Sequence, residues 1–399
     1  MLVQKYKDML SGKSVIRQLS EFATARGQEI GYENVFDYSL GNPSVPVPRE
    51  FTDRMIHMLA TKEPLELHGY SPSLGITSVR EAIAENLEKR FGLPYRKEHI
   101  FMASGAAGAL AHAFRLVTEP GDEILTFAPF FPEYHPYVDL TGAVLKVVPP
   151  NLENFQINFE AFEEMLTEKV KAVLINTPNN PSGVVYSTPT LQRLADILSE
   201  KSKEYGHIIY LISDEPYREI VYDGLNVPYI PKYYNDTFVC YSYSKSLSLP
   251  GERIGYIIVP DEMADSKRVM AAVNGAGRAL GFVCAPVLFQ KAVAMCADVP
   301  SDIEAYARNK DLLYNGLTRL GYDCVRPQGA FYLFVKSPEK SGDAGEFSER
   351  AKKHDVLVVP SDSFGCPGYV RISYCVAEKT ILDSLPVFKA IMEELKAEN

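Results

Sequence analysis

The sequence predicts an α/β protein with a mostly parallel sheet, followed by a region of mixed helices and strands. The chain has 399 residues, too many for one ordinary hydrophobic core, so two or three domains are expected. From about residue 77 onward, helical patterns alternate with short β-branched runs, which is typical of parallel sheets. Several runs are apolar at consecutive positions, as expected for strands covered on both faces.

The first clear element is a helix with a capping-box pattern. Ser78 and Glu81 form Ser-x-x-Glu, an apolar repeat follows at four-residue steps, and Gly92 is expected to end the helix. Amphipathic stretches such as 190–203 separate many of the apolar runs that follow. Seven of these runs are predicted to be strands: 100–103, 123–127, 145–148, 172–176, 208–213, 238–242 and 254–259.

The pattern changes from about residue 302. Helical repeats are predicted at 303–320, 345–354 and 381–398, and strands at 331–335 and 370–374. This order is typical of an α+β region, and it indicates a second domain.

Composition and charge narrow the classes of function. The net charge is −10, which gives little long-range attraction for nucleic acid or a membrane surface. No apolar run approaches the roughly 20 residues needed to span a bilayer, and residues 1–13 lack the pattern of a secretion signal. The six cysteines form no Cys-x-x-Cys pair, which fits a reducing compartment. A cytoplasmic enzyme or a large binding protein is expected.

The segment 241–255 carries the strongest chemical signal. Lys245 follows a predicted strand, and Arg253 comes eight residues later within Gly-x-Arg-x-Gly. A lysine amine here could form a Schiff base with an aldehyde cofactor, while the arginine binds the cofactor's phosphate through two hydrogen bonds. Taken alone, such a lysine is more often an ordinary surface residue. The other motifs of the sequence are therefore needed to choose between the two interpretations.

Two other segments place polar side chains after strands. Asp214, in Asp-Glu-Pro-Tyr, could keep a pyridinium nitrogen protonated, although capping of the next helix is the more common use of such an Asp. Asn180 lies in Asn-Thr-Pro-Asn-Asn-Pro-Ser-Gly, where two prolines and a glycine fix a turn. Its amide could bind a phenolic oxygen, or the segment could be a turn alone.

Small residues at 103–108 join a predicted strand to a helix. They let backbone N–H groups approach a phosphate at the helix N-terminus. The glycine-rich segment 275–281 follows a helical run and not a strand, so no dinucleotide site is expected there. The histidines show no metal-ligand spacing and no Gly-x-Ser-x-Gly occurs, so neither a metal site nor a serine hydrolase is expected.

Together, these ordered segments resemble the fold-type I, pyridoxal-phosphate-dependent aminotransferases of class I/II, which are aspartate aminotransferase-like. The resemblance extends from Gly41 to Arg371. It implies pyridoxal 5′-phosphate as the cofactor and an α/β fold. A large domain with a mostly parallel seven-stranded sheet covered by helices would span 47–288, and a smaller α+β domain would be built from 1–46 and 289–399.

The resemblance also assigns cofactor contacts. Lys245 is expected to carry the cofactor and to move a proton between the substrate Cα and the cofactor's C4′ atom. Asp214 is expected to hold the pyridine nitrogen protonated, and Tyr217 and Asn180 to bind the ring's O3′ atom. The other implied contacts are Gly105, Ala106, Ala107, Ser242 and Arg253 at the phosphate, Phe131 stacked on the ring, and Tyr70 at the partner subunit's phosphate.

On the substrate side, the resemblance places Arg371 on the α-carboxylate, with Gly41 and Asn180 beside it. Tyr70 implies a homodimer whose active sites lie at the subunit interface. Arg278 follows Lys245 at roughly the distance where some aspartate aminotransferases place a cation for a distal carboxylate. The flanking residues do not align there, so an ordinary interface arginine is the default expectation.

The predicted function is amino transfer from an α-amino acid to a 2-oxo acid by a ping-pong mechanism. One alternative keeps the cofactor but catalyses β-elimination at a C–S bond. Another is a cofactor-binding sensor, as in fused transcription regulators. The sensor alternative is disfavoured because the sequence shows no basic helix-turn-helix arm.

Overall fold

The computed structural model describes residues 2–3, 6–7, 14–299 and 302–398. Most of the segment 1–13, in which no secretion signal is expected, therefore lies outside the described residues. No helix in the described ranges is long and apolar enough to cross a membrane. All six cysteines are free thiols.

Helices and strands alternate through most of the described chain. The α-helices are α1 (Val15–Ile30), α2 (Arg49–Thr61), α3 (Pro64–His68), α4 (Thr77–Phe91), α5 (Gly105–Val117), α6 (Tyr134–Asp139), α7 (Phe159–Met165), α8 (Thr188–Tyr205), α9 (Tyr243–Ser246), α10 (Ser266–Leu280), α11 (Val287–Met295), α12 (Ile303–Leu320), α13 (Ala344–Lys353) and α14 (Glu378–Ala397). The strands are β1 (Phe36–Asp37), β2 (Ile100–Ala103), β3 (Glu123–Phe127), β4 (Val144–Val148), β5 (Val170–Asn176), β6 (Tyr210–Asp214), β7 (Thr237–Ser242), β8 (Gly255–Ile258), β9 (Cys324–Val325), β10 (Tyr332–Lys336), β11 (Val356–Leu357), β12 (Val359–Pro360) and β13 (Tyr369–Ser373).

The large sheet has seven strands in the order β2-β8-β7-β6-β5-β3-β4. Strand β8 runs antiparallel to both its neighbours, and the other neighbouring pairs are parallel. Consecutive residues of β5 pack on opposite faces, since Val173 and Leu174 belong to different hydrophobic clusters. This two-sided burial explains the continuous apolar runs, and the predicted fold class is confirmed.

The described residues also form two smaller sheets. Strands β12, β13, β10 and β9 form an antiparallel sheet, and β1 pairs in parallel with β11. Phe36 is therefore paired with Val356, which joins a segment near the start of the chain to one near its end.

The N-terminus of α4 differs from the predicted capping box. Helix α4 begins at Thr77, so Ser78 lies inside the first turn and no described side chain caps the helix. Instead, the backbone N–H of Ile76 donates to Oε1 of Gln290, 2.8 Å away. The capping-box prediction was wrong because the helix begins before Ser78; Gln290, 214 positions away, accepts one N–H group at this end. Gly92 does end the helix, in the left-handed conformation.

The large sheet brings polar residues together at one edge. Strands β5, β6 and β7 end at Asn176, Asp214 and Ser242, and Asn176 lies opposite Asp214 in the register. Helix α5 follows β2 after one residue, and β8 begins two residues after Arg253. Since parallel strands present their carboxyl ends at the same edge, the motifs between residues 100 and 255 converge there.

Candidate active site

A cleft of about 310 Å³ opens at this edge of the sheet. Its lining combines polar side chains at the strand ends with the aromatic residues Phe131, Tyr137, Tyr217 and Tyr332. The predicted site residues that line it are Gly41, Ala106, Ala107, Phe131, Asn180, Asp214, Tyr217, Ser242, Lys245, Arg253 and Arg371.

Lys245 lies on the short helix α9, directly after β7. Its Nζ atom donates a hydrogen bond to the Gly41 carbonyl oxygen at 2.6 Å, and it lies 5.3 Å from the centre of the Phe331 ring. Burial, together with the positive charges of Arg371 and Arg253, lowers the pKa of Lys245 to about 8, and the nearby Cys375 thiol opposes this shift. A large fraction of this amine is therefore neutral near pH 8, as a nucleophile or base requires.

Asp214 ends β6 and is buried. The Tyr134 hydroxyl donates to Oδ2 at 2.6 Å, whereas Oδ1 is buried with no hydrogen-bond partner among the described residues. Burial raises the pKa of Asp214 to about 7; the Tyr134 bond opposes this rise and neighbouring Glu215 adds to it. The ring of Phe131 lines the same part of the cleft and meets Tyr134 edge to face, with ring centres 5.6 Å apart.

A buried ion pair supports the turn that follows Asp214. Arg218 donates to Glu215 at 3.0 Å and to the Tyr256 hydroxyl at 2.9 Å. Its guanidinium also lies 4.3 Å from the centre of the Tyr241 ring. Because each of these groups is buried and paired, the turn is fixed from behind the cleft.

The end of the cleft near α5 suits an anion. Gly105 begins this helix with a φ of +71°, and a Cβ atom added there would lie 3.0 Å from Nη2 of Arg253. Arg253 itself adopts the left-handed conformation, and its Nη1 donates to the Pro250 carbonyl oxygen at 3.0 Å. A helix N-terminus beside an arginine offers N–H donors and positive charge together.

Arg371 lies on β13 and reaches the cleft from the opposite side. Its Nη1 donates to Oδ1 of Asn180 at 3.0 Å, and its Nη2 donates to the Ser39 carbonyl oxygen at 2.6 Å. The Nε atom is buried without a partner in the described part of the chain. Since both bonded acceptors are neutral, the guanidinium keeps its charge uncompensated there and is suited to a carboxylate.

Three residues that line the cleft or contact its wall have hydrogen bonds that the motif analysis did not assign. Tyr134 holds Asp214, as described above. The Asn176 amide donates to the Asp214 carbonyl oxygen at 2.9 Å, and its Oδ1 accepts the backbone N–H of Asn180 at 2.8 Å. Tyr332 shares a hydrogen bond of 2.9 Å with the Tyr217 hydroxyl. Position after a strand was a usable signal for Asn176, whereas Tyr332 has no local signal of this kind.

Other predicted residues lie outside the cleft of their own chain. Tyr70 is 96% exposed, and Arg278 is exposed on α10. Gly275 and Gly277 lie inside α10 and Gly281 ends it, so this segment is not a strand-to-helix phosphate turn. In the described ranges, no group of three or more His, Cys, Asp or Glu side chains could hold a metal ion.

Known proteins match this chain over most of its length. The family model for aminotransferase class I and II covers residues 33–384. A probable aspartate/prephenate aminotransferase from Aquifex aeolicus is 32% identical, over 93% of this chain and 95% of its own. An aspartate aminotransferase from Thermotoga maritima is 30% identical, over 93% and 97%.

Solved structures agree with these relatives. A crystal structure of an aminotransferase from Eubacterium rectale has a TM-score of 0.96 and 50% identity, and covers 99% of both chains. The aspartate aminotransferase structure from Thermotoga maritima has a TM-score of 0.87 and 28% identity, covering 98% of this chain and all of that one. The predicted resemblance and enzyme class are confirmed, and none of these findings favours the lyase or the sensor. The chain belongs to the class I and II aminotransferases.

Proposed function

We propose that the cleft binds pyridoxal 5′-phosphate and transfers the amino group of an α-amino acid to a 2-oxo acid in two half-reactions. One observation carries this proposal. A single cleft gathers the Lys245 amine with its lowered pKa, the buried Asp214 carboxyl group with one unpaired oxygen, and Arg253 and Arg371 at separate ends. A lysine, a buried acid and two anion sites are the groups that this cofactor and an amino acid need.

The residues present fit the cofactor. The unpaired Oδ1 of Asp214 is an acceptor for a pyridinium N–H group. Arg253, Ser242 and the N-terminus of α5 supply donors for a phosphate. Gly105 keeps that approach open, since a side chain there would crowd Arg253.

Phe131, Asn180 and Tyr217 would hold the cofactor's ring. Phe131 offers an apolar face for stacking. Because Oδ1 of Asn180 already accepts from Arg371, the Asn180 amide N–H groups remain available for the ring's O3′ atom. Tyr217 would be the second donor to this atom.

When bound, the cofactor supplies an aldehyde that condenses with amines and a protonated ring that withdraws electrons from the substrate Cα. Lys245 would hold the cofactor at rest. When not bonded to the cofactor, the neutral Lys245 amine would take the proton from the substrate Cα and deliver it to C4′. The Gly41 carbonyl, 2.6 Å from Nζ, orients the amine for this transfer.

The substrates proposed are α-amino acids and 2-oxo acids, with Arg371 on the α-carboxylate and Gly41 and Asn180 beside it. The free Nε edge of Arg371 supports this role. Curated relatives are named for aspartate and prephenate in Aquifex aeolicus and for aromatic amino acids in Thermococcus litoralis. All of these substrates share an α-carboxylate, which is the group that Arg371 would bind.

We also propose a homodimer in which the exposed Tyr70 reaches the partner subunit's phosphate. A cofactor domain at 47–288 and a small domain from 1–46 and 289–399 are likewise proposed; the pairing of β1 with β11 supports joining the two chain ends. Six free thiols support a cytoplasmic location.

A half-reaction screen tests the proposed function. Protein loaded with pyridoxal 5′-phosphate is mixed with one amino acid at a time, and loss of the visible cofactor absorption and formation of the 2-oxo acid are followed. Subsequent addition of 2-oxoglutarate should restore the absorption and yield glutamate. Pyruvate and ammonia from cystathionine, without amino transfer from any amino acid, would contradict the proposal and favour a β-lyase.

A further inference from the structure

Tyr332 contacts both sides of the cleft. It begins β10, is buried, and lines the cleft wall. Its hydroxyl shares a hydrogen bond of 2.9 Å with the Tyr217 hydroxyl on the cofactor side. On the substrate side, the Arg371 guanidinium carbon lies 4.6 Å from the centre of the Tyr332 ring.

The proposed function determines which of the two hydroxyls, Tyr217 or Tyr332, donates the hydrogen bond between them. Burial raises the pKa of Tyr332 to about 12 and that of Tyr217 well above its usual value, so both are neutral phenols at any working pH. One hydroxyl must therefore donate to the other. If the Tyr217 hydrogen is directed to the cofactor's O3′ atom, Tyr332 must donate to Tyr217, and a donor in such a chain strengthens the next hydrogen bond.

The ring of Tyr332 has a separate role. The Arg371 side chain is almost completely buried, and its guanidinium faces the rings of Tyr332 and Phe364. An aromatic face attracts a buried cation without using its N–H donors. The donors on Nε and on the remaining edge of Arg371 are thus left for a carboxylate.

Gly41 fits closely against the same hydroxyl. A Cβ atom at Gly41 would overlap the Tyr332 hydroxyl oxygen, and the Gly41 carbonyl accepts the Lys245 amine. Tyr332 thereby also limits where the backbone beside Lys245 can lie.

We propose that Tyr332 is a positioning residue that acts on both halves of the cleft: its hydroxyl orients Tyr217 toward the cofactor's O3′ atom, and its ring holds Arg371 for the substrate carboxylate. The inference rests on the proposed function. It has two separable parts, because one substitution removes the hydroxyl alone and another removes the ring as well.

The test compares Tyr332→Phe and Tyr332→Leu with the wild-type protein, all loaded with pyridoxal 5′-phosphate. Tyr332→Phe should raise the pH midpoint, the pH at which the visible absorption of the bound cofactor is half changed. The expected shift corresponds to about a three- to tenfold higher proton affinity of the bound cofactor, because Tyr217 loses its hydrogen-bond donor. Tyr332→Phe should leave the KM for amino acids within about twofold. Tyr332→Leu should raise both the midpoint and, by about three- to thirtyfold, the KM. If Tyr332→Leu does not fold, Tyr332→Met is used in its place.

Tyr322→Phe is the matched control. Tyr322 is also buried, but it does not line the cleft, and its hydroxyl donates to the backbone carbonyl of Phe388. This variant should lose thermal stability without changing the midpoint or the KM. An unchanged midpoint in Tyr332→Phe, an unchanged KM in Tyr332→Leu, or an equal midpoint shift in the control would overturn the inference. Failure of the wild-type protein to take up the cofactor would instead overturn the proposed function, and the inference with it.

Discussion

The two halves of the cleft are assembled in different ways. The half proposed to bind the cofactor comes from one sheet, since Gly105, Asp214 and Arg253 all lie next to strand ends between residues 100 and 258. The half proposed to bind the substrate joins distant segments: Arg371 bonds to Ser39, which is 332 residues away in the chain. The cofactor half therefore forms with the large sheet, whereas the substrate half forms only when segments far apart in the chain come together.

The halves also differ in electrostatic cost. Asp214 is a buried carboxyl group with an unpaired oxygen and a raised pKa, so the ligand-free protein carries an unfavourable charge there above neutral pH. Arg371 already has two acceptors. The cofactor half should therefore gain more stability from its ligand than the substrate half does.

The largest effect is expected at the substrate half. Arg371→Ala should lower kcat/KM for every amino acid by about 10²- to 10⁴-fold, because two charge-assisted hydrogen bonds to the α-carboxylate are lost. The variant should still take up the cofactor, since Arg371 is not among the proposed phosphate contacts. Arg326→Ala is the control, since this arginine is exposed and pairs with Asp223. A loss confined to dicarboxylic amino acids would instead assign Arg371 to a distal carboxylate.

At the cofactor half, Asp214→Asn should weaken cofactor binding by about 10²- to 10³-fold, because a buried ion pair cannot form. Ligand-free stability should change in the opposite direction. The folded pKa of about 7 lies above the usual 3.8, so wild-type stability should fall as pH rises between about 4 and 7. The variant should lack this fall and be more stable at pH 8, by up to about 4 kcal/mol.

Urea unfolding of both ligand-free proteins at pH 4.5 and pH 8 measures this difference. Equal pH dependence in the two proteins would show that Asp214 ionises normally in the fold.

Two glycines provide a matched pair of smaller effects. Gly105→Ala places a Cβ 3.0 Å from Arg253 at a positive φ, so it should weaken cofactor binding by about tenfold. Gly41→Ala should instead raise the KM for amino acids by about tenfold and also raise the pH midpoint of the cofactor's visible absorption, because its Cβ overlaps the Tyr332 hydroxyl and would displace the ring that faces Arg371. Gly275→Ala, which meets no atom within 4 Å, is the control for both. Loss of cofactor affinity in Gly41→Ala would mean that the halves are not separable.

The smallest effect is expected at Arg278. This side chain is exposed and lies outside the cleft of its own chain. Arg278→Ala should change kcat/KM by less than about twofold for alanine, aspartate and phenylalanine alike, as is usual for surface positions. A selective loss with aspartate would show that Arg278 binds a distal carboxylate from across a subunit interface.

The contrast between the two halves of the cleft also explains which residues could be predicted from the sequence and which could not. Lys245, Asp214 and Asn180 were predicted because each lies at or just after the end of an apolar run within a compact motif, and the structure places all three at one cleft. The seven strand runs were visible as apolar segments. Tyr332 was missed because its partners are distant in the chain: Tyr217 follows β6 of the large sheet, and Arg371 lies on β13, which pairs with β10. The capping-box prediction was wrong because the helix begins at Thr77, before Ser78, and a distant glutamine accepts a backbone N–H group there.

The central claim is that Lys245 carries the cofactor. Borohydride treatment of the loaded protein, followed by peptide mass spectrometry, makes the link permanent and locates it. The reduced cofactor mass should appear on the peptide containing Lys245, and Lys245→Ala should carry none and lose amino transfer by at least about 10²- to 10⁴-fold. Reduced cofactor on another lysine, or retained by Lys245→Ala, would contradict the account.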